Sequence, residues 1–265
     1  MGQRLQSHGK RADPLTSNRI VDNLPVSDRL DFLDHCETVE LRPGQVLNES
    51  GQTIQHVYFP TRGFVSWMAG GHGRSNLQMC MVGREGMLGF SVLLGVRTSP
   101  LLAIVRGAGG ALMMTADEFA FQLSSSSRLV RLINRYIDRQ FRQICQTAFC
   151  TGHHVVEARV ARLLLMAQDR LESRVVLLTH QTLADMLGVR RSGITSAAAA
   201  LHERNLIRYR RGAITILDRR GLRQAACACY QPQRQGSEIP GPTGNRPPRP
   251  LVFVHGSADR TRDST

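Results

Sequence analysis

The run Leu178-Thr179-His180-Gln181-Thr182-Leu183-Ala184-Asp185-Met186-Leu187-Gly188-Val189-Arg190-Arg191-Ser192-Gly193-Ile194-Thr195-Ser196, continued by Ala197 to Leu201, reads as two short amphipathic helices joined at a glycine. Thr179 is placed to cap the first helix, whose inner face is Leu183 and Leu187, and Gly188 supplies the tight turn. Ile194, Ala197, Ala198 and Leu201 recur at i, i+3, i+4, i+7 and give the second helix its buried face. That is a helix-turn-helix. Arg190, Arg191, Ser192, Thr195 and Ser196 are left outward at the N-terminal end of the second helix, the end that such a helix presents to base edges in a major groove. Downstream, Ile207-Arg208-Tyr209-Arg210-Arg211-Gly212-Ala213-Ile214-Thr215-Ile216-Leu217 reads as strand, Arg-Arg-Gly turn, strand, a hairpin with a basic tip. It is expected to form a wing whose arginines lie along phosphates. Asp218 caps a last helix through Ala226, and Val156, Val160, Leu163, Leu164 and Ala167 mark a helix ahead of the motif.

Charge places the same function in the same segment. The 265-residue chain carries a net +13, and Lys10 is its only lysine. An excess of this size favours a polyanionic partner, nucleic acid or an anionic membrane. Between Leu15 and Ser127, eight arginines face ten acids, whereas between Cys150 and Tyr230 there are 13 arginines and six acids. The front half is close to neutral and the back half is basic. The longest apolar runs, Met87 to Val96 and Gly107 to Ala116, fall short of the about 18–20 residues of a membrane span. The polar N-terminus has no export signal, so a cytoplasmic location is expected.

The front half reads as short strands, Glu37–Leu41, His56–Phe59, Gly63–Met68, Leu77–Val82, Leu102–Arg106 and Ala111–Met114, separated by turn chemistry at Pro43-Gly44, Ser50-Gly51, Pro60 to Gly63, Gly70 to Gly73, Gly83 to Gly86 and Gly107 to Gly110. Many strands at near-regular spacing imply a β-sandwich or jelly-roll barrel. A short helix precedes them, with Ser27 as its N-cap and Leu30, Phe32 and Leu33 facing inward. From Ser127 the apolar period becomes helical for about 23 residues. The stripe is broader than one packing surface needs, so one part is expected to rest on the barrel and another on a second copy of the chain. Leu129, Leu132, Ile133, Tyr136, Ile137 and Ile144 are the residues assigned to that dimerisation. After Gln231 the sequence turns to Pro, Gly, Ser and Arg, a composition of disorder, and its one apolar cluster, Leu251 to Val254, has no functional reading.

Residues 17 to 230 resemble the Crp/Fnr-type bacterial transcription regulators. The resemblance is carried by Leu178 to Leu187 with Gly188-Val189-Arg190-Arg191, by Asn205-Leu206-Ile207, and in the front half by His56-Val57-Tyr58-Phe59-Pro60 and Met81-Val82-Gly83-Arg84-Glu85-Gly86-Met87. It implies an α+β fold: an N-terminal β jelly-roll barrel of cyclic-nucleotide-binding-like type, a long dimerisation helix and a C-terminal winged helix-turn-helix. The expected divisions are a disordered N-terminal arm (1–16), a sensor barrel (17–126), the dimerisation helix (127–150), the DNA-binding domain (151–230) and a disordered tail (231–265). The resemblance further implies a homodimer on double-stranded DNA, with RNA polymerase as a partner. Arg191 matches the family's base-reading arginine, while Ser192 and Ser196 occupy its frequent glutamate and second-arginine positions. The expected DNA-contacting set is Arg190, Arg191, Ser192, Thr195, Ser196, Thr179, Gln181, Arg208, Arg210 and Arg211.

Family members that bind cyclic AMP use a Gly-Glu pair for the ribose and an Arg-Ser/Thr pair for the phosphate. Here the region is Gly86-Met87-Leu88-Gly89-Phe90, and a thioether is a poor acceptor for a ribose hydroxyl. Arg97-Thr98 offers a phosphate pair, followed by Pro100. Met87, Leu88, Gly89, Arg97 and Thr98 are therefore the ligand candidates of a barrel not expected to answer to cyclic AMP, and its effector is unknown. The family's iron–sulfur members carry an N-terminal cysteine cluster, but no cysteine here precedes Cys36. Cys145, Cys150, His153 and His154 are close in sequence, and Cys227 and Cys229 flank Ala228. Helical spacing puts Cys145 on the apolar stripe, so buried thiols, no metal and no cofactor are expected. No phosphate loop, His-Glu-x-x-His or Gly-x-Ser-x-Gly elbow appears, so no enzyme is expected. A cyclic-nucleotide- or metal/redox-responsive member of the family, and a peripheral protein on anionic membranes, are the alternative readings. The second conflicts with arginines concentrated on a helix-turn-helix instead of one lipid-facing helix, so no membrane partner is expected.

Overall fold

The structure is a computed structural model that describes residues 18–70 and 76–230. The expected N-terminal arm, the glycine turn at 71–73 and the tail with Leu251 to Val254 lie outside the described residues. Asn18 opens the fold: its side-chain oxygen caps helix α1 (Arg19–Asp22), and its amide donates to the carbonyls of Pro60 at 2.9 Å and Gly86 at 2.6 Å. Helix α2 (Val26–Asp34) begins after Pro25 without a side-chain cap, because the expected cap, Ser27, donates to Asp28 instead. Phe32 is buried and Leu33 half-buried, whereas Leu30 turns outward, against expectation.

Strands β1 (Glu37–Leu41), β2 (Val46–Asn48), β3 (His56–Gly70), β4 (Asn76–Val82) and β5 (Leu102–Thr115) form one antiparallel sheet of order β1-β5-β3-β4, with β2 also on β5. Four of the expected short strands merge into the two long ones. The expected breaks at Pro60 to Gly63 and Gly107 to Gly110 are irregularities in register, where β3 and β5 bend together. Glycine permits this. Gly63 has φ +76°, and a side chain there would collide with the Gly107 carbonyl; one at Gly109 would collide with that of Arg62. A 3-10 turn at Phe90–Leu94 and helix α3 (Ala116–Ser125), closed by a Thr115–Glu118 capping box, complete the front half.

Helix α4 (Ser127–His153) runs 27 residues, and its apolar stripe divides along its length. Leu129, Ile133 and Tyr136 are fully buried in this chain's own core, with Leu132 and Ile137 half-buried beside them and Ile144 against the sheet. Leu129, Ile133 and Tyr136 are thus enclosed within this chain, while Leu132, Ile137 and Ile144 keep part of their surface open. The open apolar row lies further along, at Phe141, Cys145, Ala148 and Phe149. Cys145 is exposed, not buried: it lies on the stripe, but on the part of it that none of the described residues covers.

The back half contains α5 (Val156–Leu171), β6 (Val175–Leu177), α6 (His180–Leu187), α7 (Arg191–Glu203), β7 (Ile207–Arg210), β8 (Ala213–Ile216) and α8 (Arg219–Ala225), with strand order β6-β8-β7. The halves share a core. Phe64 and Met68 of β3 and Met81 of β4 pack with Val160, Leu164, Leu183 and Ile194, so β3 is buried on both faces. Its run Phe64-Val65-Ser66-Trp67-Met68 lacks the polar alternation of a half-exposed strand, and its one hydroxyl, Ser66, donates to Gln78 at 2.6 Å. An ion pair crosses the same boundary, Arg170 of α5 to Glu85 at 2.6 Å, both nearly excluded from solvent.

Candidate nucleic-acid interface

Helix α6 starts as its sequence dictates. The Thr179 hydroxyl accepts from the Thr182 amide at 3.0 Å, and Gly188 ends the helix at φ +62°. Arg190 sits at the N-cap of α7 and offers no capping oxygen; the Gly193 amide bonds the Arg190 carbonyl at 3.0 Å, and the exposed side chains of the first turn stand at the positive end of the helix dipole. Ile194, Ala197, Ala198 and Leu201 are buried, while Arg190, Arg191, Ser192, Thr195 and Ser196 are exposed. The Thr195 and Ser196 hydroxyls bond the carbonyls one turn back, Arg191 at 3.1 Å and Ser192 at 3.2 Å, which holds both rotamers on the outer face. Thr179 and Gln181 are exposed as well, although the Gln181 amide is occupied by Asp185 at 2.8 Å.

The wing is tighter than expected. Its turn is the pair Arg211-Gly212, at φ +47° and +80°, the double positive φ of a type I′ hairpin, and Arg210 belongs to β7. Arg208, Arg210 and Arg211 are exposed. His180 joins the parts: its ring stacks on Tyr209 of the wing at 4.1 Å, and Nδ1 lies 3.2 Å from the Thr195 hydroxyl of α7. Burial, then the charge of Arg191, holds its pKa below the usual histidine value. Sequence reading missed His180 and Tyr209, since ring stacking across 29 residues leaves no periodic signal. Charge is sorted here. Arg204 pairs with Glu157, Arg219 with Asp169 and Arg170 with Glu85, whereas Arg190, Arg191, Arg208, Arg210 and Arg211 form no ion pair among the described residues.

Residues 158–225 match the family model of the Crp-like helix-turn-helix domain. They are a Crp-like helix-turn-helix domain. No curated protein matches the chain. Among solved structures, a crp/fnr-family regulator from Eubacterium rectale is 17% identical with TM-score 0.61, over 77% of this chain and 95% of that one. FixK2 from Bradyrhizobium japonicum is 16% identical with TM-score 0.62, over 73% and 98%. A CRP-family transcriptional regulator from Thermus thermophilus is 16% identical with TM-score 0.63, also over 73% and 98%. The described chain thus has the fold of the Crp/Fnr-type regulators, front half included.

Outside the Crp-like domain, the ligand candidates do not gather into a polar site. Met87 and Leu88 are fully buried in two different core clusters, and the Met87 carbonyl accepts from the Tyr136 hydroxyl at 2.8 Å. Gly89 has φ +86°, Arg97 is paired with Asp117 at 2.6 Å, and Thr98 bridges to Thr53. The cysteines, by contrast, do gather. Cys150, His154, Cys227 and Cys229 present ligand atoms within 4.8 Å of one another; the three thiols are buried, as expected, but sequence reading did not bring them together. Burial, joined at Cys36 by the charge of Glu118 and opposed at Cys80 by that of Arg170, pushes both thiols up to about 12, whereas the hydrogen bond shared by Cys150 and Cys227 brings Cys150 down to about 5 and pushes Cys227 up. The signal in the sequence was the pair Cys-x-x-x-His and Cys-x-Cys; their separation of 77 residues hid it.

Proposed function

We propose that the protein is a homodimeric, sequence-specific DNA-binding transcription regulator that reads a near-palindromic operator. Helix α7 enters the major groove by its N-terminal end, with Arg191 gripping O6 and N7 of a guanine, and Arg190, Ser192, Thr195 and Ser196 completing the contact surface. Arg208, Arg210 and Arg211 of the wing, with Thr179 and Gln181 at the start of α6, lie along phosphates. The observation that carries this reading is the sorting of charge: in the basic half, Arg170, Arg204 and Arg219 serve the fold, and the arginines of α7 and the wing are left exposed and unspent. Dimerisation uses the open row Phe141, Cys145, Ala148 and Phe149 of α4, which sets two α7 helices about 34–36 Å apart. RNA polymerase is the partner that the family resemblance implies. The protein acts in the cytoplasm without catalytic chemistry; no helix among the described residues is long and apolar enough to cross a membrane. Cyclic AMP is not its signal, because a buried thioether stands where a ribose acceptor is needed.

Fragments selected from the source genome provide the operator, and fluorescence anisotropy against it tests the surface. Arg191→Ala should cost about 1–3 kcal/mol and relax preference at one base pair, while Arg210→Ala or Arg211→Ala should weaken all duplexes alike and reduce the salt slope by about 1. Unchanged affinity of Arg191→Ala for operator and random duplex would remove the recognition surface, and preference for anionic vesicles over duplex would favour the membrane alternative. Micromolar heats with cyclic AMP or cyclic GMP would overturn the ligand assignment.

A further inference from the structure

Four side chains unused by the DNA-reading surface converge where α4 ends and the chain leaves α8. Cys150 and His154 stand one helical turn apart, and His154 terminates α4 with its amide on the Cys150 carbonyl at 3.2 Å. Cys227 and Cys229 lie on the turn after α8, closed by the Tyr230 amide on the Cys227 carbonyl at 3.0 Å. The Cys150 and Cys227 sulfurs are 3.5 Å apart, and the Cys229 sulfur is 3.5 Å from Nδ1 of His154. A tetrahedral ion at about 2.3 Å from sulfur and about 2.0–2.1 Å from nitrogen holds its ligand atoms about 3.5–3.8 Å apart. Two edges of such a tetrahedron are therefore already formed, and the remaining separations, none above 4.8 Å, close by about 1 Å or less. All three cysteines are buried free thiols.

The geometry points to a site for one zinc ion with Cys150, His154, Cys227 and Cys229 as ligands. Three thiolates and one imidazole are a soft donor set that selects zinc over magnesium or calcium. A multi-iron cluster divides its thiolates among different metal atoms and needs them spread more widely. The surroundings suit an anionic complex. Three thiolates around a dication leave one negative charge, and the guanidinium groups of Arg159 and Arg162 are buried nearby with no carboxylate partner among the described residues. Arg162 donates to the Cys229 carbonyl at 3.4 Å, and the Gln146 amide donates to the Cys229 sulfur at 2.8 Å, the outer contacts that orient metal ligands. A crevice lined by Thr147, Cys150, Thr151, Arg159 and Arg162 reaches the site. Binding displaces the thiol protons to solvent. The ion ties the end of α4 to the turn beyond α8, across the break at Val155, and so fixes the DNA-binding domain to the long helix.

The test is metal content and cobalt spectroscopy on the full-length chain, purified under reducing conditions. Elemental analysis should find one zinc per chain. Replacement by Co²⁺ should give visible bands of tetrahedral thiolate-bound cobalt together with sulfur-to-cobalt charge transfer in the near ultraviolet. Cys229→Ser and His154→Ala should lose metal affinity by more than the about 10–100-fold typical of outer contacts, while Cys145→Ser, on the exposed row, should keep full stoichiometry. Chelation should lower Tm in the wild type and leave Tm of the two ligand variants unchanged. If a ligand variant does not fold by circular dichroism, the wild-type cobalt spectrum decides alone. Reduced protein that takes up neither zinc nor cobalt overturns the proposal. A disulfide between Cys150 and Cys227 in protein made in a reducing cytoplasm does so too, as does bound iron with its own visible chromophore.

Discussion

Replacing Arg170 by Met should destabilise the protein more than any other single change to its ion pairs. The guanidinium lies 2.6 Å from Glu85, with side chains 2% and 10% exposed, and it also donates to the carbonyls of Met81 at 3.0 Å and Met166 at 3.1 Å. The exposed pairs offer a scale: Arg42–Glu40, at 77% and 68%, is worth at most about 1 kcal/mol. Removing Arg170 instead takes the buried cation away from an interior carboxylate, a change that costs about 3–5 kcal/mol. At about 2–4 °C per kcal/mol for a folded body of this size, Tm should fall by about 6–20 °C. Urea unfolding followed by circular dichroism gives the free energy, and scanning calorimetry gives Tm. The double variant Glu85→Leu/Arg170→Met removes both charges and should recover most of the loss, less the bond that Glu85 accepts from the Gly83 amide at 3.2 Å. A single variant within about 1 kcal/mol of wild type, or a double variant no better than the single, would refute the assignment of a desolvated pair.

Gly63→Ala should cost more than about 3 kcal/mol or abolish soluble expression, whereas Gly44→Ala, at φ +88° but with open space around it, should cost only the about 1–3 kcal/mol of backbone strain; urea midpoints compare the two. His180 has a folded pKa below its unfolded value, so the unfolded chain binds the extra proton first and stability must fall as pH drops through about 6.5. Melting temperatures at pH 7.5 and 5.5 should show that loss in the wild type and a smaller one in His180→Gln. Oxidation with copper phenanthroline should cross-link two chains through Cys145, and Cys145→Ser should abolish the cross-link; persistence of the same species in that variant would place the dimer contact elsewhere.

The Crp-like domain was legible because its signals are local. Thr179, Gly188 and Asp218 each act on a backbone group within four residues, and the inner face of α7 is a period, so capping and burial followed directly. Strand β6 escaped because three residues carry no period, and it exists only as a partner for β8. The merged strands escaped for the opposite reason: the same glycines that signal a turn in sequence serve a bend when two glycine-bearing segments face each other, as Gly63 and Gly107 do. On α4 the stripe was legible but its division was not, since Tyr136 and Phe141 are equally apolar in sequence and only the front half's reach along the helix separates them.

That division bears on how a signal could travel. The loop Gly83 to Met87, which leads into the ligand-candidate stretch Gly86 to Phe90, is bonded to α1, α4 and α5. Asn18 and Arg19 of the α1 end hold the carbonyls of Gly86 and Arg84, at 2.6 and 2.7 Å. Tyr136 of α4 holds that of Met87, and a side chain at Gly86 would collide with the same ring. Arg84 pairs with Glu172 at 2.9 Å and Glu85 with Arg170 at 2.6 Å, both at the C-terminal end of α5. A shift of this loop therefore displaces α4 and α5 together, and α5 carries α7 through the shared core of Val160, Leu164, Ile194 and Leu201. Packed interiors respond to such shifts as units, not by local yielding. At the other end of α5, about 24 Å away along the helix, the cysteine cluster meets the end of α4. A helix held at both ends rotates only if one hold is released. The loop and the cysteine cluster thus hold α5, and with it α7, from opposite ends.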